Sequence, residues 1–122
     1  MPKKILVVDD EHMIVDMLEV RLKDKGYAIS KAYSGAGALE QIEKELPDLI
    51  LLDIMMPPPD GLEVCRIIKS DPVYKSIAVV MLTAKTSSDA RETSIVAGAD
   101  EHIIKPYDAQ ELMGTIKALI GE

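Results

Sequence analysis

The chain has no phenylalanine, no tryptophan and a single cysteine, Cys65. Without the large aromatics its core has to be aliphatic, drawn from Ile, Leu, Val and Ala with seven Met as filler. A lone thiol excludes an internal disulfide and reads as a small core residue, so a reducing cytoplasm is the simple expectation. Cations are also scarce: 14 Lys and Arg stand against 21 Asp and Glu, a formal net charge of −7. That balance argues against binding nucleic acid or an anionic membrane over a broad surface. It leaves room for a basic partner protein, or for an effector domain on a longer natural chain. No apolar stretch approaches the roughly 20 residues that cross a bilayer. The run after Lys3 and Lys4 breaks at Asp9, too early for the apolar segment of a signal peptide. Repeats, low-complexity tracts and internal linkers are absent as well. What is present is 122 residues, 48% of them hydrophobic. They suit one domain over residues 1–122 that buries about two-thirds of its unfolded surface.

Strand-like and helix-like patterns alternate five times. Ile5 to Val8 is a short continuous apolar run, the pattern of a strand buried on both faces. Residues 11–25 read as a helix, with Ile14, Leu18 and Leu22 at four-residue spacing, Met17 beside them and Gly26 as the stop. Tyr27 to Ala32 reads as a second, less apolar strand nearer an edge. A helix over 36–45 opens after Ser34 and closes before Pro47. Asp48 to Asp53 is the most apolar strand. Pro57, Pro58 and Pro59 force a loop, and Asp60 is placed to cap a helix over 61–70, with Leu62, Cys65 and Ile68 on one face. Ile77 to Leu82 is a fourth strand. A helix over about 87–97 follows, with a weak apolar stripe. His102 to Ile104 is a short fifth strand before Pro106, and a helix over 108–120 carries Leu112, Ile116, Leu119 and Ile120. Five such units predict an α/β fold with helices on both faces of a parallel sheet. The expected architecture is a flavodoxin-like three-layer (βα)5 sandwich with strand order 2-1-3-4-5.

In that order ligands bind beyond the carboxyl ends of the first and third strands. Those ends carry Asp9 and Asp10, then Asp53. Carboxylates so close repel unless a cation sits among them, and oxygen ligands without Cys or His favour Mg²⁺. The fourth and fifth strands end at the same edge with Thr83 and Lys105. One nucleophilic acid, supporting acids for a metal, a hydroxyl and a cation are the parts needed to move a phosphoryl group onto a carboxylate. Asp53, on the central strand, is the best nucleophile. Taken singly, each residue has an ordinary reading. Asp9 and Asp10 suit a helix N-terminus, Thr83 suits a strand, and Lys105-Pro106 suits the end of an element. Asp53 is harder to read that way, because a charge straight after buried aliphatics needs a partner or a site.

Over essentially its whole length the chain resembles the receiver domain of bacterial two-component response regulators. The matching pieces are Val8-Asp9-Asp10-Glu11, Asp53-Ile54-Met55-Met56-Pro57 with Asp60-Gly61, Leu82-Thr83-Ala84, Gly98-Ala99-Asp100 and Lys105-Pro106. The resemblance implies that Asp53 is the phosphoacceptor, taking phosphate from a phosphohistidine on a sensor histidine kinase or a histidine phosphotransfer protein. It implies side-chain Mg²⁺ ligation by Asp10 and Asp53, a backbone carbonyl ligand from Met55, and Asp9 acting through water. Thr83 and Lys105 match the hydroxyl and the cation that close on the phosphoryl group, and the Lys105–Pro106 peptide is expected to be cis. The implied role is regulatory rather than enzymatic. A conformational change would control a downstream effector protein or domain, with a homodimer as one form.

Two features depart from the family pattern. His102 stands where the family carries Tyr or Phe at its switch position. It either fills that role with a smaller, titratable ring or is a partly exposed strand residue with none. The triple proline stiffens the loop after Asp53 and leaves the amides of Ile54, Met55 and Ala84 free for phosphoryl oxygens. The alternative within the fold is a docking module that works without phosphorylation. A phosphatase of the haloacid dehalogenase type needs a second acid where Met55 stands, and a flavodoxin needs a first loop that does not repel anions, unlike Asp9-Asp10-Glu11. His12 is expected on the exposed side of the first helix.

Overall fold

The computed structural model describes residues 2–83, 95, 97–105 and 108–121. Its strands are β1 (Lys4–Val8), β2 (Ala28–Ala32), β3 (Leu49–Asp53), β4 (Ala78–Thr83) and β5 (Glu101–Ile104). The helices among the described residues are α1 (His12–Asp24), α2 (Gly35–Lys44), α3 (Gly61–Ser70) and α4 (Ala109–Ile120). Most of the helix expected over 87–97 lies outside the described residues. The five strands form one parallel sheet in the order β2-β1-β3-β4-β5. β2, less apolar than β1, β3 and β4, is an edge, as its composition predicts, and β5 is the other.

Alternation along the strands divides the core in two, because successive side chains point to opposite faces. Leu6, Val8, Ile50, Leu52, Val79 and Met81 face α2 and α3, meeting Ala38, Ile42, Val64, Cys65 and Ile68. Ile5, Val7, Leu49, Leu51, Val80 and Leu82 face α1 and α4, meeting Val15, Leu18, Leu22, Leu112 and Ile116. Both faces of β1 and β3 are therefore covered, which is why those strands read as unbroken apolar runs.

Two expectations about packing are corrected. On α1 the buried positions are Val15, Leu18 and Leu22, while Met17 faces outward. Ile14 is only half-buried. The helix has apolar residues nearly all round, so periodicity alone did not single out the core face. Nor do the methionines act uniformly as filler: Met56 and Met81 are buried, but Met13, Met17 and Met55 are exposed.

Caps fix the starts of three helices. Ser34 Oγ accepts the Gly37 N–H at 3.0 Å, and Asp108 Oδ1 accepts that of Gln110 at 2.8 Å. Asp60 and Glu63 form a reciprocal capping box at the head of α3. Gly61 lets that head fold tightly over the end of β3: its N–H donates to the Ile54 carbonyl at 3.1 Å, and a Cβ there would overlap the Asp53 carbonyl oxygen. At the opposite rim Lys69 Nζ bonds the Ile77 carbonyl at 2.7 Å and pairs with Asp100 at 2.8 Å. Asp100 in turn accepts the Val79 N–H at 2.7 Å. Asp48 likewise accepts the Lys4 N–H at 2.7 Å. These bonds anchor the strand entrances, while the strand exits are left to the acids. No helix among the described residues is long and apolar enough to cross a membrane.

Candidate functional site

Asp9 leaves β1 with its N–H donating to the Ala32 carbonyl at 3.3 Å, which carries the β1–β2 pairing one step further. Its carboxylate is completely buried. Oδ1 accepts the Glu11 N–H at 3.0 Å, and Oδ2 accepts Lys105 Nζ at 2.8 Å. Asp53 ends β3 and is also buried. Its Oδ1 accepts the Met55 N–H at 3.3 Å and lies 3.4 Å from Lys105 Nζ. Asp10 is exposed beside them. Asp9, Asp10 and Asp53 each offer a carboxylate oxygen, all within 4.8 Å of one another. Thr83 is fully buried at the end of β4, and its carbonyl accepts the Lys105 N–H at 2.6 Å. The backbone thus carries the lysine to the same rim.

The electrostatics follow from that crowding. Burial and then the neighbouring Asp9 charge push Asp53 up to about 6, with Lys105 working in the opposite direction. Burial alone would lower Lys105, but the hydrogen bond to Asp9 and the charges of both aspartates raise it instead, so it stays a cation. One lysine serves two buried carboxylates, and a third acid stands at the mouth. The donor set is all oxygen and over-supplied with negative charge, which fits a hard divalent cation.

The structure therefore brings Asp9, Asp10, Asp53, Thr83 and Lys105 together. Ala84, Pro106 and the Lys105–Pro106 peptide lie outside the described residues. The cis bond among the described residues joins Pro58 and Pro59. One expectation is overturned: the Ile54 amide is not free, because it donates to the Leu82 carbonyl at 3.0 Å and extends the β3–β4 ladder. The Met55 amide is turned onto Asp53 itself. His102 pairs with Met81 in the sheet and is half-buried; its Nε2 is buried without a hydrogen-bond partner among the described residues. Sequence reasoning missed Tyr33, whose ring stacks on exposed His12 with centroids 3.9 Å apart and planes 18° from parallel. A usable signal existed, since the residue following β2 in a parallel sheet must emerge at the rim that holds Asp9.

A sequence model of the response regulator receiver domain matches residues 5–117. Among solved structures, a protein of Chloroflexus aurantiacus described as a response regulator superposes with a TM-score of 0.94 at 35% identity, over 100% of both chains. The chemotaxis protein CheY4 of Vibrio cholerae gives 0.91 at 30% identity, covering 98% of this chain and 99% of that one. The signal receiver domain of a signal transduction histidine kinase from Syntrophus aciditrophicus gives 0.90 at 31%, covering 97% and 89%.

Proposed function

Since the chain belongs to the response regulator receiver domain family, we propose that it is a phosphorylation-activated switch with Asp53 as its acceptor. The donor is the phosphohistidine of a sensor histidine kinase or of a histidine phosphotransfer protein, and the reaction depends on Mg²⁺. The observation that carries this reading is the sharing of Lys105 between Asp9 and Asp53 beside a third acid. Such a site is short of one cation and contains one carboxylate that is costly to ionise.

Asp10, Asp53 and the Met55 carbonyl would hold Mg²⁺, with Asp9 acting through water. The ion supplies charge neutralisation for the carboxylates and the incoming phosphoryl oxygens. A carboxylate oxygen of Asp53 attacks phosphorus; the P–O bond forms as the P–N bond breaks, and the imidazole leaves with the electron pair and takes up a proton. Lys105 pairs with a phosphoryl oxygen, Thr83 donates its hydroxyl to another, and the Ala84 amide binds beside them. The domain assists only its own phosphorylation and dephosphorylation, so its role is regulatory.

Charge added at Asp53 biases a conformational equilibrium felt at Thr83 and β5. The buried Nε2 of His102, without a hydrogen-bond partner among the described residues, supports a switching role for that residue, because a polar atom in this condition gains by moving to a partner. Partner docking is supported by the outer face of α1, where Met13, Met17 and Val20 are 85%, 43% and 69% exposed, one turn apart, beside Asp10. The reading places the protein in the cytoplasm, with an effector protein or domain downstream. Incubation with acetyl phosphate and Mg²⁺ should add the mass of one phosphoryl group to the intact protein, and none to Asp53→Ala or to the parent without Mg²⁺. An unchanged parent mass would overturn the proposal.

A further inference from the structure

The stacked rings of His12 and Tyr33 take no part in the chemistry above, yet His12 stands two residues after Asp10. Among the described helices α1 alone begins without a side-chain cap: Glu11 at its N-cap makes no such bond, and its first turn holds no acid. Only residues 9–11 separate β1 from that uncapped start. Asp10, in the middle, is exposed, and no hydrogen bond among the described residues fixes its carboxylate. Tyr33, by contrast, is well held. It follows β2 directly and packs against the apolar cluster beneath α1. The stack therefore joins the start of α1, held otherwise by the Asp9 bond to the Glu11 N–H, to a fixed point on the sheet.

We propose that the His12–Tyr33 stack is a positioning clamp for the cation site. It takes the place of the missing cap on α1 and holds the short segment that carries Asp10 toward Asp9 and Asp53. The inference rests on reading the three aspartates as a Mg²⁺ site. Its physical basis is preorganisation: a ligand already held near its bound position loses less freedom on binding. An aromatic stack is comparable in strength to a helix cap, so it is adequate to the task. The hydroxyl of Tyr33 is not needed, only its ring.

The test is a calorimetric Mg²⁺ titration of the intact chain, with urea unfolding measured in parallel without metal. His12→Ala and Tyr33→Ala should each weaken Mg²⁺ about threefold to tenfold, short of the ~10–100-fold typical of partners bonded directly to a metal ligand. Tyr33→Phe should keep the parent affinity. Ile116→Val, a core change far from the rim, should lower stability and leave Mg²⁺ affinity alone. Parent-like affinity in both alanine variants would overturn the clamp, as would equal weakening by Tyr33→Phe. His12→Ala keeps the test open should Tyr33→Ala fail to fold, because His12 is exposed. Absence of Mg²⁺ binding by the parent, unchanged in Asp10→Asn, would instead overturn the reading of the aspartates and the clamp with it.

Discussion

Asp53 is held ionised against its surroundings, and removing its charge should relieve them. Asp53→Asn is expected to melt higher than the parent in metal-free buffer near neutral pH, by calorimetry, while accepting no phosphoryl group. Lys105→Ala should act the other way. It strands Asp9 and Asp53 together without a cation and should cost about 2 kcal/mol in urea unfolding, below the usual ~3–5 for a fully buried pair because Lys105 keeps partial access to water. Asp53 was legible in the sequence because it stands directly after a run of buried aliphatics, where a charge has no ordinary explanation; Lys105 was legible only by its joint placement with the acids at the strand ends. The ring contact between His12 and Tyr33 was not legible, because residues 21 positions apart meet only through the register of β1 against β2. The committed amide of Ile54 was hidden in the same way, by a ladder that runs one residue past the strand end.

Gly61 is the element-scale counterpart, since it allows α3 to begin directly above the exit of β3. Gly61→Ala should destabilise the domain by about 2 kcal/mol or more through overlap with the Asp53 backbone. It should also slow acetyl phosphate labelling, because the overlap falls on the proposed acceptor itself. The exposed face of α1 predicts a separation of effects. Val20→Glu should change stability by less than about 0.5 kcal/mol, as surface substitutions do, and leave acetyl phosphate labelling intact while slowing transfer from a partner kinase. Equal slowing with both donors would place Val20 outside the docking face. Strand order followed from the alternation of strand-like and helix-like runs, and the bounds of the described helices could be read to within about a residue from apolar runs and caps such as Ser34 and Asp60. The core face of α1 could not, because Met13, Ile14, Val15, Met17, Leu18 and Val20 surround the helix and only packing against the sheet decides which of them are buried.

For the whole molecule the raised Asp53 couples folding, protons and metal. A carboxyl at about 6 in the folded chain and at 3.8 in the unfolded one binds its proton more tightly when folded. The stability it contributes is thus fully present below about pH 4 and is lost as pH rises through about 6. On the proposed reading Mg²⁺ would compete with that proton, so its affinity should fall as pH drops below about 6, and a rise in melting temperature with Mg²⁺ expected at about pH 7.5 should vanish near pH 5. Calorimetric melting with and without Mg²⁺ across that window checks both. The anchors at the far rim respond differently. Lys69, Asp100 and Asp48 grip the strand entrances through backbone atoms and lie on the opposite edge from the acids. Sequence drift, or a designer, can therefore rework the reactive border residue by residue while the foundation that makes the chain fold is inherited unaltered.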